Sequence, residues 1–309
     1  MQLNTRLGRP PCKHVPHWSA YNRALRQRGS LTVYLGNDLE RQWGQPVATG
    51  KRGRPPVYPE AVIMLGLVLQ QVDRLPLRQT VGLLRSVLEL AGLHALSVPD
   101  PSTLCRRRTA VTLPPWTKAG GCIVVDSTGL QIRGPGTWLT TVHGFQRRTD
   151  RKIHLGVDPT TSLGVAGVVT SCQLHDSQVL GDVLAAAQPG HGTVVTGDGA
   201  YGRRMCYAAA RRHRAHLLSP PGNRAVLHPD ADWRERNRAV EEARFLGRKG
   251  WKLAVNYHRR SLAESAMHRL KAAFGQRLRS RRAPNQEHEA LLRAQLLNRW
   301  PTPATVSAA

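Results

Sequence analysis

Four residues late in the chain carry side chains suited to work on a phosphate: Tyr257, Arg260, Glu264 and Lys271, within the run YHRRSLAESAMHRLK. At about 100° per residue on an α-helix they fall within roughly 60° of one another, so one face would hold a phenol, two cations and a single carboxylate. Two aspartates upstream each follow a short apolar run, Asp126 after CIVV and Asp198 after TVVTG. An aspartate at the end of a buried strand stands where side chains leave a sheet for a cleft. If the two strands are neighbours, Asp126 and Asp198 can share a hard divalent cation, and Glu264 from a packed helix completes the ligand set. Two such ions about 3.5–4 Å apart can activate a water or a 3′-OH and stabilise the leaving oxygen. Each residue also has a plainer role open to it. A strand-terminal Asp often caps a turn, Glu264 can pair with Arg260 one turn earlier, and Lys271 can sit on a solvated face. The order, the spacing and the local charge together favour phosphoryl transfer.

The charge points to the substrate. The chain of 309 residues has 45 Lys and Arg against 20 Asp and Glu, a formal charge of +25. Residues 203–282 alone hold 21 Lys and Arg against 6 Asp and Glu. A basic surface gathered around acidic residues suits a polyanionic phosphodiester, and nucleic acid is the commonest such partner. Aromatic residues make up 5% of the chain, with no aromatic-studded strand, which argues against an RNA stacking platform. The five cysteines are scattered without C-x-x-C spacing, so zinc is not indicated. No apolar secretory segment opens the chain, and the longest apolar stretch, 61–69, is too short for a bilayer. A cytoplasmic location without a membrane partner is expected.

The elements that must position these residues read as follows. Residues 1–57 form a basic, Pro- and Gly-rich arm. Helices are expected over 59–72 and 77–90, with a short third one after Asp100 or Ser102 that ends in Arg106, Arg107 and Arg108. Three short helices ending in a basic one suit either a helix-turn-helix DNA-binding module or a plain helical bundle. After Gly120 the texture changes to strands over 122–126, 152–158, 164–171 and 193–198, with helices at 176–187, 203–213, 259–275 and 286–299. Strands first, then a helix and an acid-tipped strand, then an acid-bearing helix: this is the order of an α/β, ribonuclease-H-like catalytic domain, a mixed sheet flanked by helices. The expected division is an arm at 1–57, a mainly helical, helix-turn-helix-like domain at 58–118, the catalytic domain at 119–300 and a tail at 301–309.

These segments resemble the DDE transposases of the bacterial IS5 insertion-sequence family, within the wider IS4-like group. The late helix matches that group's Tyr-(2)-Arg-(3)-Glu-(6)-Lys signature at Tyr257, Arg260, Glu264 and Lys271; DSTGL at 126–130 and TGDGAY at 196–201 resemble its two acid blocks. The resemblance runs from about residue 18 to 300. It implies an enzyme that binds the terminal inverted repeats of its element, cleaves the ends and joins the 3′-OH to target DNA. Asp126, Asp198 and Glu264 would be the catalytic metal ligands, for Mg²⁺ with Mn²⁺ as a substitute. Tyr257, Arg260 and Lys271 would contact DNA, as would Arg106, Arg107 and Arg108 of the end-binding domain. The partners implied are double-stranded DNA at the element ends and the target, and further copies of the chain, at least a dimer, in a nucleoid-associated synaptic complex. The sequence departs from the pattern at Asp150, where similar chains have Trp, and at Gly202, where they commonly have Asp. A transposition-defective DNA-binding copy and a related ribonuclease-H-like nuclease are the alternatives.

Overall fold

The computed structural model describes residues 18–30, 41, 43, 57–132, 151–222, 224–230 and 233–300. Most of the expected arm, the 301–309 tail and Asp150 lie outside the described residues. Among the described residues, the helices ahead of the sheet are α1 (Trp18–Arg28), α2 (Glu60–Val72), α3 (Leu77–Leu90) and α4 (Pro101–Arg107). Then follow β1 (Cys122–Ile132), β2 (Arg151–Val157), β3 (Gly164–Ser171), α5 (Asp176–Ala187), β4 (Val194–Thr196), α6 (Arg204–Arg212) and β5 (His216–Leu218). A long helix α7 (Arg234–Ala254), helix α8 (Ser261–Phe274), a short β6 (Arg277–Leu278) and α9 (Ala283–Arg299) complete the order.

The sheet runs β3-β2-β1-β4-β5, with β6 pairing the far end of β1. β1, β2 and β3 are antiparallel neighbours, while β4 and β5 run parallel to β1. This is the mixed sheet of a ribonuclease-H-like α/β fold. Helices cover both faces, so β1 starts as a continuous apolar run rather than an alternating one. Ile123, Val124 and Val125 are all buried. Successive residues serve opposite faces: Val124 and Leu130 pack with Met267 and Leu270 of α8 and Leu292 of α9, whereas Ile123 and Val125 pack with Leu180 and Leu184 of α5. The β2–β3 hairpin turns on Asp158, whose carboxylate accepts from the backbone N–H of Thr160 and of Gly120. Asn298 of α9 clasps β3 through two 2.7 Å hydrogen bonds with the backbone of Gly164.

The helices of 58–118 share the core of the sheet. Ile63, Leu67 and Val68 of α2 and Leu104 of α4 join the cluster that contains Val124, Ile153 and Leu270. α2 is apolar almost all round, as a helix packed on several sides must be. Gly66 is needed there, since a Cβ at that position would approach Leu104 to 2.9 Å. Arg74, between α2 and α3, donates to the carbonyls of Ala272 and Ala273 and so caps the last turn of α8.

A buried ionic network fastens these parts together. Glu289 of α9, almost fully buried, accepts from the backbone N–H groups of Arg279 and Ser280 at 2.9 Å each. It pairs with Arg293 at 2.6 Å and Arg108 at 3.5 Å. Arg108 also donates to Gln70 and Ser280, and Arg293 donates to Gln71 at 2.7 Å. Arg108 was expected on a DNA-facing surface; it is only 5% exposed and turned into this network, because burying Glu289 requires a compensating cation. The sequence reading placed no element between the helices expected at 203–213 and 259–275. That interval holds β5 and all of α7, which is broken at Gly247 (φ 69°).

The network makes Glu289 costly to remove. Glu289→Ala strands two buried guanidinium groups and two backbone donors, and should destabilise the protein by about 3–5 kcal/mol in chemical denaturation. An effect below about 1 kcal/mol would mean that the network is dispensable.

Candidate active site

β1 and β4 are hydrogen-bonded in parallel from Cys122↔Val194 to Val124↔Thr196. Asp126 and Asp198 each stand two residues beyond that last pair, and the charge of Asp198 is felt at the Asp126 carboxyl. Asp126 was expected to end its strand. It lies instead within β1, because β1 goes on pairing with β2 as far as Leu130 after β4 has left. Val124 and Asp126 share one face of the strand, the face on which α8 packs with Glu264 in its first turn.

Asp126 Oδ1 accepts from the Ser127 N–H at 2.8 Å. Burial pushes the Asp126 carboxyl above the ordinary aspartate value, and the negative charges of Asp198 and Glu264 push it the same way, while the Ser127 N–H and Arg260 oppose. The charges of residues on two other elements, Asp198 and Glu264, therefore reach the Asp126 carboxyl.

Asp198 is strapped from several sides. Its Oδ1 accepts from the Ala200 N–H at 2.9 Å and opens the 3₁₀ turn Gly199–Tyr201. Its carbonyl accepts from Ser219 Oγ at 2.7 Å. The preceding Gly197 donates to Leu218 O at 3.1 Å, and its carbonyl accepts from Tyr257 Oη at 3.3 Å. Gly197 cannot bear a side chain, because a Cβ would come within 2.6 Å of the Tyr201 ring. Gly202 is tight as well: a Cβ there would lie 3.2 Å from Ser219 Oγ.

The four-residue signature does not occupy one continuous α-helix. Tyr257–Arg260 is a 3₁₀ turn entered through Asn256 (φ 53°), and α8 begins at Ser261. Tyr257 is accordingly buried beside Trp251, with ring centroids 6.0 Å apart. A direct DNA contact by its ring is not what this position offers; it holds the Asp198 loop instead. Arg260 pairs with the exposed Glu264 one turn on. Lys271 lies two turns beyond Glu264 and is half-buried. Arg106 is exposed, and Arg107 donates to the Tyr58 carbonyl.

Hard oxygen donors suit a divalent cation of the Mg²⁺ type, and the coupled charges of Asp126, Asp198 and Glu264 fit one. Among the described residues no three acidic, His or Cys side chains already stand as a closed metal cluster. The Glu264 carboxylate is engaged with Arg260. An exposed pair of that kind is worth roughly 0.2–1 kcal/mol, little enough for a divalent cation to displace.

A second polar group lies on the opposite face of β1 and escaped the sequence reading. Asp176, at the start of α5, accepts from Lys152 Nζ at 2.9 Å. Burial alone would raise its carboxyl, but hydrogen bonds from Lys152 and Ser127 outweigh that and hold it below the usual value. Ser127 is thus gripped from behind the sheet next to Asp126. His154 lies 3.8 Å from Asp176 and shares a 2.9 Å hydrogen bond with Thr170. Burial pushes its imidazole down to about 4, against the pull of Asp176. The only signal in the sequence was the polar pair Lys152 and His154 inside an otherwise apolar strand.

Residues 118–299 match the family model described as Transposase DDE domain, and residues 26–135 match a second model with the same description. Among solved structures the chain is similar to piggyBac transposase in the cryo-EM structure of its synaptic complex with hairpin DNA. The identity is 9%, with 92% of this chain and 78% of that chain covered and a TM-score of 0.42. It is also similar to a chain in the structure of the simian T-cell lymphotropic virus intasome in complex with PP2A regulatory subunit B56 gamma. There the identity is 11%, with 73% and 66% covered and a TM-score of 0.26. Both TM-scores are below 0.5, so neither likeness bears on function.

The buried His154 has a consequence in acid. Its pKa is lower folded than unfolded, so between about pH 6.5 and 4 the unfolded chain binds a proton that the folded one does not. Wild type should lose about 3 kcal/mol more stability over that fall in pH than His154→Gln does. Parallel denaturant titrations at the two ends of the range would reveal it; identical losses would mean that the imidazole titrates freely.

Proposed function

This chain belongs to the Transposase DDE domain family, a metal-dependent class of transposases, and from that premise we propose that it acts on the terminal inverted repeats of its own insertion sequence. It cleaves the element ends and joins the freed 3′-OH to target DNA, with Asp126, Asp198 and Glu264 as the ligands of two Mg²⁺ ions, which Mn²⁺ can replace. The observation that supports this reading is the β1–β4 register, with Asp126 and Asp198 each two residues past its last pair and the charge of Glu264 also felt at Asp126. The spacing of Tyr257, Arg260, Glu264 and Lys271 supports the closer assignment to the IS5 insertion-sequence group of bacteria, and with it a place at the nucleoid. The net charge of +25 supports double-stranded DNA as the partner. Two ends must be held together, so at least two copies of the chain would assemble on them.

In the first step a water oxygen bonds to the scissile phosphorus and the P–O3′ bond breaks, leaving a 3′-OH and a 5′-phosphate. In the second, that 3′-OH attacks a target phosphodiester and displaces a target 3′-OH. When bound, the metal ions lower the cost of deprotonating the attacking oxygen and take up charge on the leaving one. The chain's own residues orient the groups around them. Ser127, Ala200 and Ser219 keep the two aspartates from swinging, and Tyr257 pins the Gly197 peptide ahead of Asp198. Arg260, released as Glu264 turns to its ligand role, is then positioned to meet a phosphate oxygen. Lys271 meets the backbone farther along the same helix.

Cleavage of labelled DNA carrying the element end, with Mg²⁺ or Mn²⁺, tests the assignment. Glu264→Gln and Asp198→Ala should lose nicking by at least about a hundredfold and still bind the end; full activity in either variant would remove it from the ligand set. Lys271→Ala should lower the slope of log K against log salt by about 0.9. An unchanged slope would leave Lys271 a surface charge.

A further inference from the structure

Away from the three acids, a groove of about 590 Å³ opens between α4 and the segment leading into α9. Arg106, Arg108, Arg279, Arg281 and Arg282 line it together with Asn285, and no carboxylate does. Arg106, Arg281 and Arg282 are exposed and, among the described residues, make no ion pair. Arg108 lies beneath, 95% buried, and its Nε has no hydrogen-bond partner. The network under the groove is itself positive, since Arg108 and Arg293 share the single Glu289. α9 also begins at this groove, with Arg282 as its N-cap residue and no side chain capping its first amides. Uncapped amides at the start of a long helix add to the attraction for an anion.

We propose that this groove is a second DNA-backbone site, which grips phosphates of the duplex at a distance from the cleavage point. The inference rests on the reading of the protein as a transposase acting on DNA and says where part of that DNA runs. A guanidinium presents a fork of donors that matches phosphate oxygens, so unpaired arginines without a carboxylate suit this ligand better than a protein carboxylate. The sheet supplies the distance. Gln131, which pairs with Arg277 of β6, is five residues along β1 from Asp126, or about 17 Å, comparable to the axial rise of about five base pairs. Arg279, Arg281 and Arg282 follow directly. These groove arginines thus follow directly on a strand that pairs with β1 beyond Asp126, and a duplex held at Asp126 and Asp198 is proposed to continue toward them. Because Glu289 holds the groove wall through the Arg279 and Ser280 amides, the two phosphate sites are joined by rigid structure rather than by a linker.

The test uses the full chain, a chelator to prevent cleavage, and a labelled duplex of about 30 base pairs. Binding is measured against salt for wild type, the Arg281→Ala/Arg282→Ala double variant and the matching Lys double variant. Losing two phosphate contacts should reduce the salt slope by about 1.8 and weaken binding roughly tenfold near 0.1 M salt, while the Lys pair keeps most of the slope. Both positions are exposed, so the folds should survive; Arg106→Ala, in a different element, provides an independent reduction of about 0.9. An unchanged slope in the alanine variants, with wild type binding and nicking DNA in the presence of metal, would overturn the groove alone. Equal loss in the lysine pair would overturn the charge role of the groove. Failure of wild type to bind any duplex would overturn the transposase reading and the groove together.

Discussion

The parallel pairing of β1 with β4 is the constraint on which the site depends. It lasts for three residue pairs and then stops, and both chains leave it carrying an aspartate two residues later. Neighbouring strands lie about 4.8 Å apart, so aspartates that leave the pairing in register start close together, wherever the rest of the molecule sits. That proximity is unfavourable between bare carboxylates; burial is the main cause of the raised Asp126 carboxyl, and the charge of Asp198 adds to it. The fold tolerates it because each aspartate is given a backbone donor of its own, and because a cation can offset what remains.

The second constraint is the balance of charge in the interior. Where α2, α4 and α9 pack against one sheet, charged side chains are enclosed as well. Arg108 and Arg293 go inside, and Glu289 goes with them. The pairing is costly in desolvation, so its value is in geometry: three elements far apart in sequence are fixed to one carboxylate. The same arrangement leaves the exposed arginines at 106, 281 and 282 on one rim with no acid to neutralise them.

Much of this was legible in advance. The strands over 122–126, 152–158, 164–171 and 193–198 were visible because buried β-branched runs bounded by Gly, Pro and Asp have few other uses. The helices at 77–90 and 176–187 match the observed ends, since their apolar spacing and terminal residues agree. What escaped was whatever depends on partners. Arg108 looks like Arg106 and Arg107 in a basic triplet, and nothing local marks the one that turns inward. Tyr257 reads as part of a helix face, yet Asn256 and a 3₁₀ turn rotate it into the core. α7 is polar over most of its length, so its periodicity gave little to follow.

By itself the sequence determined the types and order of the chemical groups: two strand-borne aspartates, a late glutamate with an arginine one turn before it, and a surplus of cations. These are properties of composition and local periodicity, which do not need the fold to be present. Only the tertiary structure decided that Asp126 lies within its strand rather than at its end, that Tyr257 braces Asp198 and that Arg108 serves Glu289. Each of these depends on which segment arrives alongside. A buried polar group must take whatever partner the packing supplies, and that partner comes from tens to hundreds of residues away.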